Sequence, residues 1–246
     1  MALDTGIDTG RADVHRLAAA ARSILACPAD VRLVVDGVDD ITEGLQEGHL
    51  AMQDHSGQPV FTCPVDAALA LAATDRRGAL LTLDSGLGRP GTADREATLT
   101  LSGRLEAGGL EECECCSDVR MQVVLHLDFA LLARSAPGAE DARIRVPLTA
   151  FNSPVHDLNR GFLQRSVEHT NQCHQAELRR AISTRTGTRL GEVVGVHLSG
   201  LRADGVVLRW VDLTGSHESR LRFPRAAGTA NELGDLLRTE LHAGLC

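Results

Sequence analysis

The chain has 246 residues, 43% of them hydrophobic, which is enough apolar material for one large domain or two modest ones. A formal net charge of -8, with no Tyr, one Trp and five Phe, excludes the basic stripe of a phosphate-backbone binder and the aromatic platforms of a single-strand reader. All 25 basic side chains are Arg, so lysine Schiff-base and lysine general-base chemistry are excluded too.

Val14, Leu17, Ala18, Ala21 and Leu25 recur at helical spacing, and Cys27-Pro28 stops the pattern. Strands are expected at Val31 to Asp36, Gly48 to Gln53 and Val60 to Cys63, the last two joined by a turn at Asp54-His55-Ser56-Gly57. Pro64 fits the first position of a short Ala/Leu helix running from Val65 to Thr74. Gly78 to Leu83 reads as a buried strand, followed by a Gly/Pro-rich loop from Ser85 to Asp94. The clearest strand comes next: Ala97, Leu99, Leu101, Gly103 and Leu105 alternate with polar residues. Further strands are expected at Val119 to Leu127, Phe129 to Ala133 and Ala142 to Pro147. Several strands around a short helix, without a βαβ rhythm, point to a closed antiparallel barrel.

The pattern changes between Thr149 and Asn159. A long helix is expected from Gly161 to Thr184, then strands at Val193 to Leu198, Val206 to Asp212 and Arg220 to Phe223. Thr229-Ala230-Asn231-Glu232 opens a last helix as a capping box, with Leu233, Leu236, Leu237 and Leu241 facing inward. The domains are therefore 1–152, barrel with its N-terminal helix, and 153–246, a smaller helix–three-strand–helix domain. No apolar run reaches membrane-spanning length, and the first ten residues lack a signal peptide's basic start. The expected location is the cytoplasm, where the seven Cys stay mostly reduced.

Two stretches carry candidate chemistry. Leu163, Val167, Thr170, His174, Leu178 and Ala181 form one helical stripe, which puts His174 on the core-facing side. His169 projects roughly 140° away on a regular 3.6-residue helix, so an undistorted helix does not let both imidazoles clasp one metal. Glu112-Cys113-Glu114-Cys115-Cys116 lacks the Cys-x-x-Cys pairs of a zinc site. Its thiols are incidental loop residues, ligands completed by remote His, or a redox pair. Neither a G-x-S-x-G nucleophile motif nor a phosphate or dinucleotide glycine fingerprint occurs.

Glu168, His169, Asn171, Cys173 and His174 match a helix motif reading E-H-x-N-x-D-H, with Cys173 in place of the Asp. Leu221-Arg222-Phe223-Pro224, followed by the amphipathic run Leu233 to Leu245, matches the closing pattern of the same small domain. With Pro59-Val60-Phe61-Thr62-Cys63 and the strand Ala97 to Leu105, the chain resembles the HugZ-type haem-handling family. That resemblance implies an α+β protein: an antiparallel split β-barrel, of the flavin-binding split-barrel type, with a second, smaller α+β domain. It further implies a homodimer built through the barrels, with a haem or FMN site near the dimer interface. Relatives include haem-degrading oxygenases, haem binders and a non-catalytic plant protein. The Gly-rich V-G-G-F-G segment of haem-degrading members is replaced here by Ala136-Pro137-Gly138-Ala139-Glu140-Asp141.

The candidate cofactor-binding residues are His169 and His174, Arg104 for haem propionates, and His242, which is outward-facing on the last helix. The expected function is haem binding with haem degradation as its enzymatic extension. A non-catalytic interaction protein and a flavin-dependent oxidoreductase are the alternatives.

Overall fold

The computed structural model describes residues 6–45, 49–112, 119–134 and 142–242. The chain divides into two compact units, Met1–Gly161 and Phe162–Cys246. The class is α+β: a curled antiparallel half-barrel sheet with helices, and a second small sheet.

In the first unit α1 (Gly6–Ala26) leads into β1 (Pro28–Val35), and the hairpin β2 (Met52–His55) and β3 (Gln58–Pro64) follows. The turn between them uses Ser56 and Gly57, both at positive φ (50° and 96°), the two-residue geometry that matches strand twist. Then come α2 (Ala68–Thr74), β4 (Gly78–Ser85), β5 (Thr98–Glu112), β6 (Val119–Arg134), β7 (Ala142–Arg145) and α3 (Leu148–Phe151). The sheet order is β1-β4-β5-β6-β3-β2, with β7 also pairing β6. The inward residues of the alternating strand, Ala97, Leu99, Leu101 and Leu105, are fully or almost fully buried. They pack with Ala18, Ala21, Ile24 and Leu25 of α1 and with Leu69, Ala70 and Ala73 of α2 in one core.

In this unit two expectations need correction. Pro64 ends β3, paired with Arg120, and the helix starts at Ala68 instead. Residues 65–67 form a turn, with the Ala67 amide donating to the Pro64 carbonyl. The strands expected on either side of Asp128 are one strand, β6. Ser102 pairs with Phe129 and Gly103 with Leu127, so Asp128 is the extra residue of a bulge. Gly103 is required there, because any Cβ would collide with the His126 carbonyl. Cys113, Cys115, Cys116 and the segment Ala136 to Asp141 lie outside the described residues.

The second unit contains α4 (Arg160–Cys173, from Phe162 onward), α5 (Gln175–Thr186), β8 (Gly195–Arg202), β9 (Gly205–Asp212), β10 (Gly215–Arg222) and α6 (Ala230–His242). Its sheet runs β10-β9-β8, all antiparallel. Thr229 Oγ1 accepts the Glu232 amide, and the Glu232 carboxylate accepts the Gly228 amide, so the expected cap forms one residue wider than the usual box. The long helix expected from Gly161 to Thr184 is two helices, interrupted at His174 (φ -117°, ψ 30°).

Candidate functional site

The interruption at His174 decides what the second unit can do. A regular helix would carry His174 into the stripe with Leu178. The altered backbone angles at His174 end that phase: Leu178, Ala181 and Ile182 are buried on α5, while His174 comes out to the surface with 47% of its side chain exposed. The expectation of a buried, packing histidine is therefore corrected. So is its corollary that the two imidazoles stay apart: His174 Nε2 lies 3.3 Å from His169 Nε2, and the rings meet edge to face.

The residues that hold this geometry are Asn171 and Gln175. The Asn171 side chain donates to the Leu198 carbonyl and accepts the Leu198 amide, each at 2.8 Å, pairing with β8 as another strand would. Gln175 Nε2 donates to the Val196 carbonyl and to the Asn171 carbonyl, both at 2.9 Å. β8 is an edge strand, and these two amides cover its open backbone groups. The sequence signal is two carboxamides four residues apart, one on each side of the break.

His169 and His174 lie at a groove of about 620 Å³ between α4–α5 and α6. Its apolar lining is Leu178, Leu237 and Leu241, with Arg238 and Glu177 as its charged groups. Glu177 Oε2 lies 3.9 Å from His174 Nδ1, so Nδ1 faces a carboxylate, while Nε2 meets, among the described residues, the second imidazole. The chemistry on offer is an imidazole nitrogen backed by a carboxylate, beside apolar walls and one guanidinium. Among the described residues no three His, Cys, Asp or Glu side chains converge as a metal cage.

Polar groups also converge in the first unit, but there they are buried. Arg22, 1% exposed, donates to Asp54 Oδ2 (3.3 Å), Asp157 Oδ1 (2.9 Å) and the Phe151 carbonyl (3.1 Å). Burial pushes the Asp54 carboxyl above its ordinary pKa, against the pull of Arg22. His156 sits next to this network with its Nε2 3.4 Å from His15 Nδ1. Burial first, then the neighbouring His15 and Arg22, hold the His156 imidazole below its ordinary value.

Of the residues singled out in the sequence, His169 and His174 are brought together. Arg104 belongs to the first unit, exposed on the outward face of β5 and paired with Gly78 and His126, and it does not line the groove. The His242 side chain lies outside the described residues. Among the described residues no helix is long and apolar enough to cross a membrane.

No family model and no curated protein matches this chain. Among solved structures, it is similar to a haem binding protein from Mycobacterium smegmatis, at 16% identity over 93% of this chain and 97% of that one, with a TM-score of 0.37. A protein of unknown function from Agrobacterium tumefaciens is similar at 17% identity, over 92% and 94% of the two chains, with a TM-score of 0.37.

Proposed function

We propose that the chain binds haem in the groove of the second unit, with His174 as the axial ligand. The observation that carries this reading is the exposed pair of imidazoles at a groove walled by Leu178, Leu237 and Leu241. Haem is held by apolar walls against its faces, an axial donor such as an imidazole on its iron, and cations near its propionates. Leu237 and Leu241 supply the first, His174 Nε2 the second and Arg238 the third. The Glu177 carboxylate, 3.9 Å from His174 Nδ1, adds a negative charge beside the ring on the side away from Nε2. His169, exposed and on the other side of the break, is the polar neighbour that must turn aside as the ligand enters. When bound, haem would supply a redox-active iron, held by His174.

Haemin titration followed in the Soret region tests this reading. One site per chain is expected, lost in Leu237→Glu, which places a charge on the apolar wall. Non-saturable binding, or binding indifferent to Leu237→Glu, contradicts it.

The working form in this proposal is a homodimer joined through the first unit. The outward face of its sheet carries exposed Val34 and Leu80, paired across β1 and β4, and the same row continues through Ser102 to half-buried Phe129. Sedimentation at micromolar concentration should give the mass of two chains, falling to one in Leu80→Asp. A monomeric parent contradicts this part.

A further inference from the structure

A second cavity, of about 360 Å³, lies wholly within the first unit. Its apolar lining includes Ala20 of α1 and Ile24, Leu87 and Ala97, which are each at most 5% exposed. Its polar lining is Ser23, His156, Asn159, Arg134, Arg160 and Asp94. The Arg160 guanidinium is paired with the Asp94 carboxylate. Among the described residues of the lining, that leaves the exposed Arg134 as the unmatched cation, in a chain whose overall charge is -8. His156 is 7% exposed and sits on the buried Arg22 network, so it is a fixed wall and not a mobile surface ring.

We infer that this cavity is a binding site for a small monocarboxylate with an apolar body, of the size of a medium-chain fatty acid. Among the described lining residues, two guanidiniums against one carboxylate leave a single positive charge to be met. A monoanion matches that, and a dianionic phosphate exceeds it. The carboxylate is the class that Arg134 can grip with two parallel N–H donors, while Ile24, Leu87 and Ala97 take the apolar body away from water. A cavity near the small end of the usual range for ligand sites admits such a molecule and rejects a porphyrin. The site therefore stands apart from the haem groove, and either can fail without the other.

Isothermal titration of the haem-free protein with octanoate, with octylamine and octanol as controls, tests the assignment. Octanoate should saturate one site, octylamine should not bind there, and octanol should bind about tenfold more weakly or worse, having lost the charge-assisted pair. Arg134→Gln should weaken octanoate by about tenfold, and Ala20→Leu, which fills the cavity, should abolish binding while the thermal melt stays close to the parent's. Non-saturable octanoate, equal binding of the amine, or binding unchanged in both variants overturns the inference. Loss of octanoate binding in Leu237→Glu with retention in Ala20→Leu would place the anion in the second unit, and overturns it equally.

Discussion

In the first unit a charged side chain is buried completely: Arg22 on α1 meets two carboxylates and a backbone carbonyl and has almost no contact with water. In the second unit His169 and His174 stand at the surface, with each other and Glu177 as their near neighbours. The contrast separates polar groups that hold a fold from polar groups that are available. All three guanidinium nitrogens of Arg22 are engaged inside the protein, and the side chain is buried away from any ligand. His174 Nε2 has only a second, interchangeable imidazole, which water or an iron can replace.

The largest effect should come from breaking the buried anchor. Arg22→Met leaves Asp54, itself 10% exposed, and Asp157 without their cation, and should cost about 3–5 kcal/mol in urea unfolding, as removal of one partner from a buried pair does. Adding Asp54→Asn to Arg22→Met should restore part of that loss. A loss below about 1 kcal/mol for Arg22→Met would mean that the network is solvated and the contrast drawn above is wrong.

Asn171→Ala probes the other side. It removes two hydrogen bonds to Leu198 and should cost about 1–2 kcal/mol, since each typical bond contributes about 1 kcal/mol net. Because the same bonds fix the break at His174, haemin affinity should fall as well. Retained affinity would show that the histidine pair does not depend on this tie.

The difference in legibility between the units has the same origin. In the first unit the pattern of burial is the pattern of the sequence: the α1 stripe, the alternating residues of β5 and the Ser56-Gly57 turn all follow from local chemistry. Arg22 does not. It reads as one more helix arginine, because its partners Asp54 and Asp157 are 32 and 135 residues away. The second unit's elements were legible as types, including the Thr229 cap, but its site was not. A helical period carried through His174 places that ring in the core. The break depends on Asn171 and Gln175 reaching an edge strand more than twenty residues further along the chain, which no local window contains. The bulge at Asp128 was hidden for a similar reason, since only its register against Ser102 and Gly103 distinguishes it from a chain break.

Smaller effects follow from titration and from thiol burial. His156 has a lower pKa in the folded chain than its ordinary 6.5, so between the two values the unfolded state binds more protons. Its contribution to stability is thus lost as pH falls below about 6.5 toward the lowered value, and it does not change above neutrality. His156→Gln should flatten the slope of stability against pH in that window; an unchanged slope would show that another group sets it. Burial pushes the Cys63 thiol up to about 11, and Cys27 is buried too, while Cys173 is exposed. A brief treatment with iodoacetamide at pH 8, read by peptide mass mapping, should label Cys173 and spare Cys27 and Cys63. Equal labelling would mean that the first unit's core opens readily.

In this proposal His174 Nε2 exchanges the His169 imidazole for the haem iron. Electron paramagnetic resonance of the ferric haem complex of His174→Gly, with and without added imidazole, tests it most directly. The parent should show histidine-ligated iron, the variant should lose that signal, and free imidazole filling the vacated space should bring it back. A parent signal that persists in His174→Gly would contradict the assignment, since the iron would then be held by another residue.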